Sequence, residues 1–366
     1  MRRLTVSRYS CHEPVLTGAQ TDEDRRRIAG HRHEADPRAS ARARGGKLEE
    51  AGFDGCFTFE GPHEPFMPLA LAAEHSKLEI GTGVAIAFAR TPMTVANLAH
   101  DLQQFSDGRF WLGLGSQIRP HIESRFGMPW GKPVSRMKEF VRALRSIFAS
   151  WNSNEKLDFR GEFYKHTLMP PFFNPGPAKG GPPPIILGGV GPKMTEAAGE
   201  VADGMLLHPF HTERSLEEVM RPNLERGLAN SGRELSDFTL CAQVMVVTGD
   251  DEAGFENARA MARNQIAFYA STPAYRSVLE VEGRAELQPQ LRQLTKEGRW
   301  HEMAALIDDE LLSRIAAVGT PGEVAEILHA RYGSLAERVA FSSPFPVPQG
   351  CSSEIISRLK SRTKPE

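Results

Sequence analysis

Between Pro182 and Phe210 the chain reads PPPIILGGVGPKMTEAAGEVADGMLLHPF, and this arrangement leaves few folds open. Ile185, Ile186 and Leu187 form a short apolar run, bounded by three prolines and by Gly188-Gly189-Val190-Gly191. A run of that length between turn residues predicts a buried strand. Pro192 follows where a fixed φ favours the first helical turn and a missing N–H costs nothing. Met194, Ala197, Ala198 and Val201 then recur at helical spacing along one face. Asp203-Gly204 predicts a turn, and Met205–Leu207 a second buried strand ending at His208. Strand, helix and strand in this order form a β-α-β unit with parallel strands and a right-handed crossover.

The first strand of that unit feeds a glycine-rich loop opening directly onto a helix N-terminus. Backbone N–H groups there lack helical partners, and the helix dipole adds to their attraction for an anion. Two readings stand side by side: a phosphate site, and a tight turn whose glycines merely allow close packing. The loop is not a Walker sequence, since no Gly-Lys-Ser/Thr follows, and it lacks the third glycine of the dinucleotide fingerprint.

The same alternation runs along most of the chain. Strands are predicted near residues 55, 79, 110, 185, 205, 240 and 339, nearly all separated by helices, with Leu4-Thr5-Val6 as an eighth. Leu78–Ile86 reads as a single strand. Thr91-Pro92 supplies a cap and first turn for a helix with Val95, Leu98, Leu102 and Phe105 on one face. Ser135 is expected to cap a long helix with Met137, Phe140, Val141, Leu144, Ile147, Phe148 and Trp151 as its apolar stripe. Thr320 and Glu323 form a capping box. The whole predicts a (β/α)8 TIM barrel over residues 47–346, with a Pro/Gly-rich insertion at 158–184 before the fifth strand. Residues 1–46 are Arg- and His-rich and form an irregular amino-terminal segment, and 347–366 read as a tail. A doubly wound open sheet is the alternative, weakened by the lack of a dinucleotide fingerprint after any early strand.

Composition excludes several function classes. A net charge of -2 gives no electrostatic case for nucleic acid or an anionic membrane. Cys11, Cys56, Cys241 and Cys351 are widely spaced, with no CxxC, so neither a disulfide framework nor a structural zinc site is indicated. No apolar run approaches membrane-spanning length, and no secretory h-region follows Met1. A soluble protein of the reducing cytoplasm is expected, with a small molecule as its partner.

In a barrel of this type the loops at the C-terminal ends of the strands build the active site. That rule selects 60–66, 84–91, 115–125, 188–193 and 208–211. They carry Glu60, His63, Glu64, Arg90, Ser116, Gln117, Arg119, His121, Arg125, His208 and His211. No HxH or HExxH spacing occurs, so no metal site is expected. No GxSxG elbow is present. The set fits a phosphate-bearing cofactor over apolar loops. Glu60 and His63, three residues apart, are the candidates for managing a proton, although each also has a purely structural reading.

With these residues in view, the chain resembles the bacterial-luciferase-like family of (β/α)8 flavin and deazaflavin enzymes. The matching stretches are EAGFDGCFTFE, LEIGTGVAIAFARTP, DGRFWLGLGS, DFRGEFYKHTLMPPFFNPGP, the 182–210 segment and GTPGEVAEIL. Within the family it is most similar to members assigned to coenzyme F420. The resemblance implies an F420-dependent oxidoreductase moving hydride to or from a small organic substrate, with an FMN-dependent monooxygenase as the alternative, and a homodimer. It implies that Gly83-Val84 is a non-prolyl cis peptide forming a bulge behind the deazaflavin ring. Gly115, Ser116, Gly188, Gly189, Val190 and Gly191 would hold the ribityl-phosphate side, Glu60 would lie beside the ring, and His208 is counted among the cofactor-binding residues. One departure is Gly61, which stands where the family's sugar-phosphate dehydrogenases place a catalytic histidine, so that reaction is disfavoured. The other is the irregular start, which raises a non-enzymatic alternative: a barrel remnant or binding protein whose first strand fails to close the sheet.

Overall fold

The computed structural model of the protein describes residues 5–9, 45–153 and 155–362; the amino-terminal segment expected at 1–46 lies largely outside them. In chain order the strands are β1 Thr5–Tyr9, β2 Gly55–Thr58, β3 Glu79–Thr82, β4 Ala85–Ile86, β5 Phe110–Gly115, β6 Phe159–Arg160 and β7 Lys165–His166. They continue with β8 Ile185–Gly188, β9 Gly204–Leu207, β10 Thr239–Val244, β11 Val246–Val247, β12 Ala317–Val318 and β13 Arg338–Phe341. Contacts group the chain into two compact units, each drawn from separate stretches of sequence. One comprises Phe57–Leu206 and Asn223–Thr239, the other Met1–Cys56, Leu207–Pro222 and Leu240–Glu366.

In the unit around Phe57–Leu206, β5 is the hub. It pairs in parallel with β3 (Ile80 opposite Phe110), with β4 (Ala85 opposite Leu114) and with β8 (Leu112 opposite Ile185). β8 continues in parallel to β9, Leu187 opposite Met205. Parallel pairing sends the C-terminal ends of β4, β5 and β8 to one edge, which brings the loops after them together. All six residues of β5, Phe-Trp-Leu-Gly-Leu-Gly, are buried, as a strand covered on both faces requires.

The expected continuous strand at 78–86 is broken. The peptide between Gly83 and Val84 is cis, and the chain resumes as β4. Thr82 bridges the interruption: its hydroxyl donates to Gly113 O at 2.7 Å and accepts from Gly113 N–H at 2.9 Å. Gly113 leaves room for this, because a β-carbon there would stand 1.7 Å from Thr82 O.

The helix Pro92–Phe105 starts as expected, Thr91 Oγ1 accepting from Thr94 N–H at 3.2 Å. Its buried face is Val95, Ala96, Ala99, His100, Leu102 and Gln103, whereas Phe105, placed on the apolar face by periodicity, is 66% exposed at the last turn. The helix Pro133–Asn152 begins two residues before Ser135, with Pro133 in its first turn, so Ser135 is not the cap. Its seven-residue apolar stripe is buried as expected. In the insertion, β6 and β7 form an antiparallel hairpin. Glu139 on that helix pins the hairpin turn by accepting from the amides of Glu162, Phe163 and Tyr164 at 2.9, 2.7 and 2.7 Å.

In the second unit β13 pairs in parallel with β1 (Thr5 opposite Arg338) and with β10 (Cys241 opposite Arg338), and β11 pairs with β12. The amino-terminal strand is therefore formed and sits against the last strand. The capping box is present at Pro321–Tyr332, Thr320 and Glu323 exchanging side chain–backbone bonds. Residues expected as a tail instead form the helix Gln349–Arg362, which buries Cys351, Ile355, Ile356 and Leu359. Lys360 on this helix donates to Gly52 O at 2.7 Å and to Asp54 Oδ1 at 2.6 Å. No helix among the described residues is long and apolar enough to cross a membrane.

Candidate active site

In the first unit the chain after β2 is laced to the chain between β3 and β4. Gly83 N–H donates to Thr58 O at 2.6 Å, and Glu60 N–H donates to Val84 O at 3.2 Å. The Glu60 carboxylate, 7% exposed, accepts on Oε2 from Ile86 N–H at 2.7 Å and from Arg90 Nη1 at 2.6 Å. Arg90 also donates to Ile86 O at 3.3 Å and packs its guanidinium over Phe66, 5.6 Å from the ring centroid. Charge-assisted bonds of this kind are among the stronger ones a fold makes. Glu60 therefore braces the 83–90 loop, and Arg90 is the partner that the Glu60–His63 pairing did not anticipate. His63 lies on the exposed part of its loop, while Glu64 accepts from the amides of Phe66 and Met67 at 2.9 Å each.

Val84 is the point where three loops meet. A β-carbon added at Gly115 would stand 2.6 Å from Val84 Cγ2, and one added at Gly188 would stand 2.7 Å from Val84 Cγ1. The valine thus sits with one methyl against each glycine, at the ends of β5 and β8. Behind it, a β-carbon at Gly83 would meet the Phe57 ring at 2.3 Å. Ser116 Oγ donates to Gln117 O at 3.1 Å, and Gln117 takes a left-handed φ of 59°.

The two readings of the glycine loop divide between its residues. Gly188 makes room for Val84, and Gly189 for Met194, whose Cγ would be 2.4 Å from an added β-carbon. Gly191 differs: its φ is 88°, no atom lies within 4 Å of a β-carbon there, and it caps the helix Pro192–Val201 without a side-chain bond. Val190 is 37% exposed beside it. The open, uncapped amides at Gly191 suit a phosphate; the tight glycines before it are explained by packing.

His208 and His211 belong to the second unit, in the loop after β9. Phe210 N–H donates to His208 Nδ1 at 3.2 Å, so in the neutral ring the proton is on Nε2, which lies 3.0 Å from Tyr275 Oη. Tyr275 stacks on the imidazole at 4.5 Å and 22°, and Tyr269 meets it edge-on at 4.6 Å. His211 has the opposite tautomer. Its Nδ1–H donates to His208 O at 2.7 Å, and its Nε2 is 2.9 Å from Tyr332 Oη, which donates to it. Enclosure by protein lowers the His208 pKa to about 3, with His211 adding to the effect, and lowers that of His211 to about 4. Burial likewise raises Tyr269 and Tyr332 to about 12, and raises Tyr275. His208 nevertheless keeps a partly open surface, as do Tyr269 and Tyr275. These tyrosines carried no motif in the sequence. The available signal was compositional: the chain has five tyrosines, and Tyr269, Tyr275 and Tyr332 converge on the two histidines.

Residues 21–338 match the family described as luciferase-like monooxygenase. An uncharacterized protein of Mycobacterium tuberculosis is 51% identical over 311 residues, covering 85% of this chain and 90% of that one. The 5,10-methylenetetrahydromethanopterin reductase of Archaeoglobus fulgidus is 28% identical over 321 residues, covering 85% and 91%. Among solved structures, the coenzyme F420 dependent tetrahydromethanopterin reductase from Methanopyrus kandleri has the same fold, with a TM-score of 0.74 at 17% identity over 99% of this chain and 100% of that one. The protein belongs to the luciferase-like monooxygenase family, with a luciferase-like fold.

Proposed function

We propose that the protein is a coenzyme F420-dependent oxidoreductase acting on a small organic substrate. The observation that supports this reading most is the meeting of three loops on Val84, beside the uncapped helix start at Gly191. When bound, the deazaflavin would supply the ring that accepts or donates hydride; the protein would supply position and electrostatics. In this reading Gly83 and Val84 back the ring, and Glu60, fixed by Arg90 and Ile86, holds that backing in place. Gly115, Ser116, Gly188 and Gly189 shape the ribityl side. Val190 and Gly191 offer backbone donors to the phosphate at the positive end of the helix. His63 is the solvent-facing loop group assigned to proton exchange, and His208 is assigned to binding. Activity with FMN and oxygen is the second reading, favoured by the description of the family that matches the chain.

Purified protein titrated separately with F420 and FMN, followed by fluorescence of each cofactor, tests this. Saturable F420 binding in the micromolar range or tighter is expected. Tight FMN binding with none for F420 would replace the first reading by the second, and binding of neither would leave the remnant or binding-protein alternative.

A further inference from the structure

We infer that Tyr275 is a ligand-binding residue whose hydroxyl donates to the carbonyl oxygen of a small, neutral ketone or aldehyde. The inference rests on the oxidoreductase reading for its consequence, since such a compound would be the reducible partner, but its geometry is independent of any cofactor. A phenol oxygen has one proton to give and two lone pairs to receive with. Because Phe210 N–H fills His208 Nδ1, the neutral imidazole presents Nε2–H to Tyr275 Oη at 3.0 Å. The histidine is thereby the donor and the tyrosine the acceptor in that bond. The Tyr275 proton is left to point elsewhere, on a residue that is only partly buried. Stacking against His208 at 4.5 Å and the edge of Tyr269 at 5.9 Å fix the phenol ring, so the donor's direction is set before any ligand arrives.

The surroundings select the ligand's charge. Tyr269, Phe210 and Tyr275 form an aromatic wall around His208, with centroids 4.5 to 6.2 Å apart. None of these rings carries charge, and His208 stays neutral far below pH 7 because protein encloses it. A carboxylate or phosphate placed against these rings would lose hydration, and none of the rings offers a positive charge in exchange. A ketone loses little, and its oxygen accepts the one proton on offer. His208 acts as a positioning residue: its tautomer, fixed by a backbone amide, decides which way the Tyr275 proton faces. His208 and Phe210, in the loop after β9, lie where a fold of this class places its ligand contacts, and Tyr275 reaches them from the turn after a helix.

The test compares cyclohexanone with methylenecyclohexane, which has nearly the same shape but no acceptor oxygen. Binding of each is measured by ligand-observed NMR to the parent and to Tyr275→Phe, whose melting curve is recorded alongside. Cyclohexanone is expected to bind the variant about tenfold more weakly, the scale of one neutral hydrogen bond, with the hydrocarbon unchanged. In the parent labelled with 15N-histidine, the ketone is expected to shift the Nε2 resonance of His208 while the hydrocarbon leaves it in place; this arm stands even if the variant misfolds. Equal binding of the ketone to both proteins, equal loss for both ligands, or no ketone binding to the parent at tens of millimolar would overturn the inference. F420 titrations on the same preparations separate the two claims. Normal cofactor binding without ketone discrimination sinks only the Tyr275 assignment. Ketone discrimination without cofactor binding sinks only the oxidoreductase reading.

Discussion

Glu60 is the residue whose removal bears most sharply on the site's construction. Its Oε2 holds both Ile86 N–H and Arg90 Nη1, with Glu60 7% and Arg90 16% exposed. Glu60→Ala removes two bonds to a charged acceptor, each worth roughly 1.5–3 kcal/mol, and strands the arginine. Breaking a buried pair from one side costs about 3–5 kcal/mol. Arg90 keeps Ile86 O, the Phe66 face and Glu64 at 3.7 Å, so the lower end applies. A loss of about 3 kcal/mol is expected for Glu60→Ala. Glu60→Gln, which still accepts from Ile86, should lose about 1 kcal/mol. Chemical denaturation of both variants, of Arg90→Met and of Glu60→Ala/Arg90→Met gives a double-mutant cycle. The expected coupling is at least about 1 kcal/mol, with faster hydrogen exchange at the Ile86 amide in Glu60→Ala. Additive losses and an unchanged Ile86 amide would refute the brace.

Gly188→Ala and Gly115→Ala should each lose about 1–3 kcal/mol by crowding Val84, as overpacking does, and Val84→Ala should relieve most of either loss; denaturation midpoints report both. At Gly189 the Met194 contact adds a steric cost to any charge effect, so Gly189→Ala serves as the control. Gly189→Asp should weaken F420 binding well beyond Gly189→Ala in a fluorescence titration, because a carboxylate opposes phosphate at the helix end. His63→Asn should lower turnover while leaving the F420 dissociation constant unchanged, as steady-state kinetics and a fluorescence titration would show. The His208 and His211 pKa values lie below the ordinary 6.5, so the unfolded chain binds protons that the folded chain refuses. Their stabilising contribution is complete above pH 6.5 and declines as pH falls towards about 4 for His211 and about 3 for His208. Denaturation between pH 7.5 and 5, before most carboxylates titrate, should show stability falling by on the order of 1 kcal/mol per pH unit per histidine below pH 6.5; a flat profile contradicts neutral burial.

The alternation of strands and helices was legible because local signals carry it. Pro192 and Gly191 mark a helix start, Thr320 and Glu323 cap another, and β5 is apolar throughout. Misreadings arose where tertiary contacts decide. Leu78–Ile86 has an unbroken strand pattern, yet the strand divides at the cis Gly83–Val84 peptide, which only the family resemblance placed there. Ser135 looked like a cap, but Pro133 already sits in the helix. Phe105 fits the apolar period but falls at an exposed end, and the carboxyl-terminal helix hides its apolar face among many charges. Within the candidate site, glycines and Glu60 were visible as residue types. Their jobs were not, since Val84 between Gly115 and Gly188, Arg90 on Glu60, and tyrosines 67 and 61 residues beyond His208 depend on long-range contacts. The amino-terminal strand, doubtful from its neighbours in sequence, is held by β13 more than 300 residues away.

Hydrogen-exchange mass spectrometry of the protein with and without F420 tests the central claim most directly. The account predicts slowed exchange confined, within the Phe57–Leu206 unit, to the backbone at 83–90, 115–117 and 189–193, where the three loops and the open helix start lie. Protection that leaves 189–193 untouched, or no protection at saturating F420, would contradict it.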